Sequence, residues 1–191
     1  MVLPLSDREA DAEIIESCRA GDRDALRVLY VSYKDRVYSI ALYFFHGEEA
    51  AASDVTQQVF LKLITSIRQF RGESAFSTWL YRLVVNACQD AARRYKSAGF
   101  AADRTRLEEF AIAGSHEDDY ARAQLAQSVR AAVSALPPKF RIAVLLRYFD
   151  DLSYEQMAQV LHCSMGTVAS RLSRGHKMLA ERLQSLIGTT K

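Results

Sequence analysis

The sequence has few of the residues that interrupt helices, since its 191 residues include only three prolines and eight glycines. Because proline and glycine mark most turns and loops, their scarcity favours long helices over many short strands. No run of about 18 apolar residues occurs, and no basic segment precedes an apolar stretch at the start, so neither a membrane-spanning helix nor a signal peptide is expected. We expect a cytoplasmic, all-α protein without membrane insertion.

Cysteine and histidine are also sparse, which limits metal and catalytic chemistry. Cys18, Cys88 and Cys163 are an odd number without the spacing of metal ligands, so reduced, buried thiols are predicted. His162, Cys163 and His176 offer three zinc ligands where a structural site needs four. There is no glycine-rich phosphate loop and no nucleophile beside a plausible base, so an enzyme, a cofactor and a small-molecule substrate are disfavoured.

Residues 153–177 have the pattern of two helices joined by a tight turn. Ser153 followed three residues later by Gln156 is a capping-box signature for the first helix. The segment 162–164 interrupts the apolar pattern, and Ser164 can accept a hydrogen bond from the first free N–H groups of the next helix. The pattern predicts a helix-turn-helix.

The second helix of this pair has an apolar stripe that includes Val168 and Leu172, and a polar face opposite it. The polar face consists of hydroxyl groups and cations from Thr167, Ser170, Arg171, Ser173, Arg174 and Lys177. Such a helix fits the major groove of DNA, where arginine can bond a guanine edge and lysine or serine can hold phosphates. We predict that it reads DNA. The alternative is an ordinary helical hairpin with a solvated basic face.

Charge is segregated along the chain. Residues 1–67 carry 7 basic and 11 acidic side chains, 68–96 carry 6 and 2, 97–120 carry 2 and 6, and 121–191 carry 10 and 4. Two basic blocks separated by an acidic one indicate two polyanion-binding surfaces. Apolar periodicity fails from residue 97 to about 118, so we predict two small helical domains, 1–96 and 120–191, joined by a flexible acidic linker at 97–119.

Helical periodicity predicts the elements of each domain. In the first, a short helix ends at Gly21, Asp22 caps a long helix that ends at Gly47, and two more helices cover about 49–67 and 75–96. In the second, an apolar stripe from Leu125 through Val129 to Leu136 predicts one helix, and a second apolar helix follows the two prolines at 137–138.

Aromatic and cationic side chains are interleaved between residues 68 and 96. Stacking on aromatic rings stabilises unpaired bases by roughly 1–3 kcal/mol each, and cations hold the backbone. For Phe76 and Trp79 a place in the domain core explains the pattern equally well. For Tyr81, Arg82, Asn86 and the Arg93–Arg94 pair we expect an exposed position, because they lie away from the side that carries Trp79.

Three motifs together give the chain a resemblance to the extracytoplasmic-function sigma factors, which are specificity subunits of bacterial RNA polymerase. The segment SDVTQQVF at 53–60 resembles their polymerase-docking helix, and FRGESAFSTWLYRLVVN at 70–86 resembles the loop and helix that open and read the −10 element. The segment 136–179, with Gly-Thr-Val at 166–168, resembles their −35-reading domain. The three motifs occur in the order found in the family.

The resemblance implies partners and roles. The partners are core RNA polymerase, promoter DNA and an anti-sigma factor that covers the same surfaces. The implied polymerase contacts are Asp54, Gln57, Gln58 and Phe60. The implied −10 contacts are Phe70, Arg71, Phe76, Trp79, Tyr81, Arg82, Asn86, Arg93 and Arg94, and the −35 contacts are the polar-face residues of the second helix of the helix-turn-helix.

Two positions depart from the family pattern. Gln58 stands where the family usually has glutamate, and Ala169 stands where it usually has arginine or lysine. With one cation fewer, Arg171 and Arg174 are expected to carry more of the −35 interaction. A second reading of the whole chain stays open: a stand-alone helix-turn-helix regulator whose N-terminal helices sense a signal or dimerise.

Overall fold

A computed structural model describes the backbone of residues 8–97 and 117–187, and the side chains of residues 12–95 and 124–184. Over these ranges the protein is built from helices and contains no strand, which confirms the all-α prediction. The helices are α1 Arg8–Ala20, α2 Arg23–Phe44, α3 Glu49–Ser66, α4 Phe76–Ser97, α5 Glu117–Ser134, α6 Pro138–Phe149, α7 Tyr154–Val160 and α8 Met165–Ile187, with a 3-10 turn at Ile67–Gln69.

Residues 98–116 of the predicted linker lie outside the described ranges, whereas its two ends are helical. Ser97 closes α4, and α5 begins at Glu117 rather than near residue 120. In the described part of the chain no helix is long and apolar enough to cross a membrane.

Local sequence signals place the helix ends where they were expected. Gly21 has φ +92°, a left-handed conformation that glycine adopts without strain, and Asp22 accepts hydrogen bonds from the backbone N–H groups of Asp24 and Ala25 at the start of α2. Ser153 and Gln156 form the reciprocal capping box of α7. The predicted boundaries are confirmed to within a few residues.

The N-terminal half consists of α2, α3 and α4 packed on one another, with α1 against α2 and the 3-10 turn. Its core is apolar and fully enclosed around residues such as Ile40, Val59 and Leu80. Cys18 and Cys88 are buried free thiols, as predicted, and burial raises the pKa of Cys88 to about 12. Cys163 is half-buried.

In the C-terminal half, α6, α7 and α8 pack closely and α5 lies against α8. The apolar stripe predicted for α5 is buried only near its end. Val133 near the end of α5 and Leu136 just beyond it are buried, whereas Leu125 and Val129 are exposed large apolar side chains. Tyr148, near the end of α6, is also exposed.

The two halves are packed together. α2 contacts α5 and α6, α4 contacts α7, and the buried residues of both halves form one continuous cluster. The rings of Tyr43 and Phe149 pack against each other in a tilted arrangement across the boundary, with centroids 4.9 Å apart. Arg141 of α6 is buried and donates to the backbone oxygen of Phe44 in α2. The described helices therefore form one closed body from two sequence units.

Candidate nucleic-acid and polymerase interfaces

The predicted recognition helix is α8, and its polar face is open to solvent. Ser164 caps it, since its hydroxyl oxygen accepts from the backbone N–H of Thr167 at 3.2 Å. Val168 and Leu172 are buried on the opposite side. Exposed on the polar face are Ser170, Ser173, Arg174 and Lys177, with Thr167 and Arg171 half-buried beside them. The structure thus brings all six predicted −35 residues onto one helix.

The closeness of α8 to α6 depends on Gly175. A Cβ at this position would lie 3.1 Å from Cγ2 of Val144, tighter than a normal contact. The small residue therefore lets α8 pack closely against α6.

One exposed polar pair beside this face was missed by the sequence reasoning. The Tyr148 hydroxyl and Nε2 of His176 are 3.0 Å apart, and their rings make an edge contact. In the sequence His176 stands out only as a zinc-ligand candidate, and Tyr148 does not stand out. Only the packing of α6 against α8 brings them together, so the sequence carried no signal for the pair.

The aromatic residues of the predicted −10 site form a packed cluster. Phe70 and Phe76 are buried, and their ring centroids are 5.7 Å apart. Trp79 is half-buried and lies 5.5 Å from Phe70, while Tyr33 of α2 packs on Phe76. For both phenylalanines the arrangement favours a packing role over base stacking, because each ring is buried against other aromatic rings. Trp79 keeps some surface free.

Most of the remaining −10 candidates are accessible. Arg71, Asn86, Arg93 and Arg94 are exposed, and Arg82 is half-buried.

The prediction that Tyr81 is exposed is wrong. The residue was expected on the exposed side of α4, yet it is 1% exposed, because α7 packs against α4 and the Tyr81 hydroxyl donates to Asp150 at the end of α6.

The predicted docking helix is α3, which runs beside α2. Asp54 and Gln57 are exposed, and Phe60 is buried with its ring 4.8 Å from that of Tyr30. Gln58 is half-buried, and its side-chain oxygen accepts from Nη2 of Arg94 at 2.9 Å. Asp54 and Gln57 are therefore accessible to a partner, whereas Gln58 and Phe60 contact other residues of the same domain.

The groove between α2 and α3 adds an apolar surface to the docking face. Tyr30, Leu61 and Ile64 line it and are exposed large hydrophobic side chains, next to Lys34 and Asp54. Exposed apolar residues grouped in this way are typical of protein-binding surfaces. The sequence pattern of α3 does not mark Leu61 for this surface, because one helix pattern does not show that α2 completes a groove.

Comparison with protein families gives two matches. The model described as Sigma-70 region 2 matches residues 29–98, and the model described as Sigma-70, region 4 matches residues 126–179. The first contains the docking and −10 candidates, and the second contains the −35 candidates.

Curated relatives match over nearly the whole chain. The RNA polymerase sigma-H factor of Pseudomonas aeruginosa is 32% identical, over 94% of this chain and 97% of that protein. The ECF RNA polymerase sigma-E factor of Escherichia coli K12 is 31% identical, over 96% of this chain and 99% of that protein.

Two solved structures share the fold. CnrH, in complex with the cytosolic domain of CnrY, has a TM-score of 0.68 at 22% identity and covers 92% of this chain and 98% of its own. The sigma factor RpoE in complex with the anti-sigma factor NepR, from Bartonella quintana, has a TM-score of 0.65 at 23% identity and covers 83% and 96%.

Proposed function

This chain belongs to the sigma-70 family, in its extracytoplasmic-function group, and we propose that it binds core RNA polymerase and directs initiation at promoters with two separate DNA-reading surfaces. The observation that carries the proposal is the order of the accessible surfaces along the chain. The groove and exposed carboxylate of α3, the cationic end of α4 and the polar face of α8 are three distinct accessible surfaces in the order of the family's regions.

In this proposal α3 docks on polymerase. Asp54 and Gln57 supply polar contacts, and the apolar groove that Phe60 underlies supplies buried area. Gln58 occupies the position where the family usually has glutamate. Its side-chain oxygen accepts a hydrogen bond from Arg94, so Gln58 positions a −10 candidate in addition to facing polymerase.

The −10 element is assigned to the open residues of α4 and the loop before it. Asn86 can bond base edges, while Arg71, Arg82, Arg93 and Arg94 can hold phosphates. Trp79, with part of its ring free, is the candidate platform for an unpaired base. Phe70 and Phe76 support that platform from behind, since both rings pack near it.

The −35 element is assigned to α8. Ala169 is half-buried and lies in a shallow opening with Arg147 and Tyr154, so no cation projects from this position. We therefore assign guanine contacts to Arg171 and Arg174, which lie two and five residues further along the helix.

Control by a protein partner is part of the proposal. RpoE, which has a similar fold, was solved with the anti-sigma factor NepR. We place this chain in the cytoplasm with an anti-sigma factor that covers its polymerase- and DNA-binding surfaces. The proposed activity is selection of the start site, with RNA synthesis left to the polymerase.

The proposal is tested by run-off transcription with purified core polymerase on a pool of genomic promoter fragments. Added wild-type chain should produce discrete transcripts that are absent without it. Asp54→Lys, which reverses the charge of an exposed docking residue, should reduce these transcripts, whereas Glu181→Lys on the exposed end of α8 should leave polymerase binding intact. Transcripts that never depend on the chain would refute the proposal. Specific DNA binding by the free chain would instead support the stand-alone regulator.

Arg171→Ala is expected to lower the preference of the holoenzyme for its own −35 sequence by about 1–3 kcal/mol, because one bidentate base contact is lost. The measurement is competition between a matched and a scrambled −35 site at fixed salt. Lys139→Ala is the control, since it removes an exposed cation of the same half from α6 rather than α8. An unchanged preference in Arg171→Ala would remove this residue from the −35 site.

A further inference from the structure

The N-terminal end of α8 carries apolar side chains, whereas the rest of its outer face is polar. Met165, the first residue of the helix, is 50% exposed, and Ala169, one turn later, is half-buried. Side chains four residues apart are neighbours on a helix surface, so Met165 and Ala169 form one apolar edge. The same row of side chains continues through Ser173 to Lys177, which are both predicted −35 residues. The apolar edge is therefore continuous with the DNA-reading face.

The apolar edge lines a shallow opening between α8 and the neighbouring ends of α6 and α7. Met165, Gly166 and Ala169 line this opening from the side of α8. Among the described residues other than its chain neighbours and the helix backbone, the nearest atom to a Cβ on Gly166 would be Oγ of Ser164, at 3.9 Å, which is an ordinary contact. Internal packing therefore does not require glycine at this position. The missing side chain leaves room for a ligand to approach the apolar edge closely.

The charges around the opening favour a base edge over a phosphate as its ligand. The described lining contains one cation, Arg147, and two exposed carboxylates, Asp151 and Glu155. Arg147 already donates to the backbone oxygen of Leu152 at 3.1 Å. A hydrogen bond from Ser153 lowers the pKa of Glu155, so this carboxylate is charged at neutral pH. Two carboxylates repel a phosphate group, whereas they do not repel an uncharged methyl group.

A methyl group is the apolar feature that the major groove of DNA presents. Of the four bases, thymine carries a C5-methyl group at the groove edge, and alanine and other apolar side chains contact it. Residues near the N-terminal end of a recognition helix are those that meet base edges. The flexible, polarizable side chain of Met165 can adapt to the shape of such a group. The chemistry of the apolar edge thus matches thymine.

We propose that Met165 and Ala169 determine specificity by contacting the C5-methyl group of a thymine in the −35 element. This contact rests on the proposed function, since it names the base that the N-terminal end of α8 reads. The departure from the family pattern at Ala169 then has a positive role. The position that lacks a cation selects a thymine, while Arg171 and Arg174 contact other bases.

The test uses the exchange of thymine for deoxyuridine, because the two form the same base pair and differ by the C5-methyl group. The probe is a promoter that the chain transcribes with core polymerase, in which each thymine of the −35 element is replaced singly. Competition between the two duplexes for the holoenzyme at fixed salt measures the preference. At the position that the apolar edge reads, wild type should prefer thymine about fourfold, as expected for burial of one methyl group. Deoxyuridine placed upstream of the −35 element is the DNA control and should not change binding.

Variants of the apolar edge should lose this preference. Met165→Gln keeps the length of the side chain but makes its end polar, so it should bind both duplexes about equally. Ala169→Gly removes a single methyl group and should reduce the preference. Ala180→Gly, at an exposed position of the same helix outside the edge, is the control for added backbone freedom and should keep the wild-type preference. Circular dichroism checks the helix content of each variant.

Three results would overturn the thymine contact. The first is a wild-type holoenzyme that distinguishes thymine from deoxyuridine at no position of the −35 element. The second is a wild-type preference that persists in both Met165→Gln and Ala169→Gly. The third is an equal loss of binding to both duplexes in Met165→Gln, which would place Met165 against a protein partner instead of a base.

The thymine contact and the proposed function fail separately. Each of the three results leaves the run-off assay with wild-type chain unchanged. If transcripts never depended on the chain, the proposed function would be wrong, and duplexes selected by the free chain from a random pool would then carry the same thymine exchange. A free chain that selected no sequence would overturn the thymine contact as well.

Discussion

Replacing Arg141 by alanine should lower the free energy of unfolding by about 3 kcal/mol or more, since a buried acceptor that loses its donor costs about 1–3 kcal/mol. The guanidinium group donates to three backbone oxygens, those of Phe44, Ser134 and Leu136. Burial lowers the pKa of Arg141 to about 10, so the group remains protonated at neutral pH. Its loss leaves three acceptors without this donor at the junction of α2, α5 and α6.

Urea unfolding followed by circular dichroism measures this effect. Arg147→Ala is the matched control on the same helix, because Arg147 is half-buried and bonds only the backbone oxygen of Leu152, at 3.1 Å. It should cost about 1 kcal/mol. Arg141→Lys keeps the charge but not the planar set of donors, so its loss of unfolding free energy should lie between those of Arg141→Ala and Arg147→Ala. If Arg141→Ala were no more destabilised than Arg147→Ala, the three bonds would contribute little.

Replacing Phe76 by alanine should lower the free energy of unfolding by about 3–5 kcal/mol, the usual range for a buried phenylalanine. Its ring is 7% exposed and meets Tyr33, Phe70 and Trp79 with centroids 5.7–5.8 Å away. The truncation leaves a cavity between α2 and α4 that neighbouring rings fill only in part. Thermal and urea unfolding of the purified chain measure the loss.

The same variant separates packing from base stacking. Asn86→Ala, an exposed residue of the same helix, should leave stability within about 0.5 kcal/mol of wild type and weaken binding to −10 DNA in the holoenzyme. Phe76→Leu should restore most of the stability, because it fills much of the cavity. If Phe76→Ala kept wild-type stability but lost −10 binding, Phe76 would be a direct base contact and its core role would be wrong.

The sequence predicted those features of the site that depend on the residue pattern of a single helix. The polar face of α8 lies within a single helix, and its apolar stripe at Val168 and Leu172 indicated which side faces outward. The caps at Asp22 and Ser153 are likewise local, since each serves N–H groups two or three residues away. The caps and the buried side of α8 were therefore predicted correctly.

The errors occurred where a second helix decides the outcome. Tyr81 has the spacing of a surface residue relative to Trp79, but α7 covers it from the other half of the chain. Leu125 has the spacing of a core residue but is 57% exposed. A helix pattern gives the direction of a side chain around its own axis and contains no information on which neighbour approaches that direction.

The amino-acid sequence alone determined the helices, their caps, the basic face of α8 and the order of the motifs, because each follows from residues within a few positions of one another. The tertiary structure decided that Arg141 bonds Phe44 97 residues earlier, that Tyr81 meets Asp150 69 residues later, and that the two halves share one core. Contacts at such separations depend on which helices pack together. The apolar stripes do not fix this choice, because other pairings of the same helices could bury them equally well.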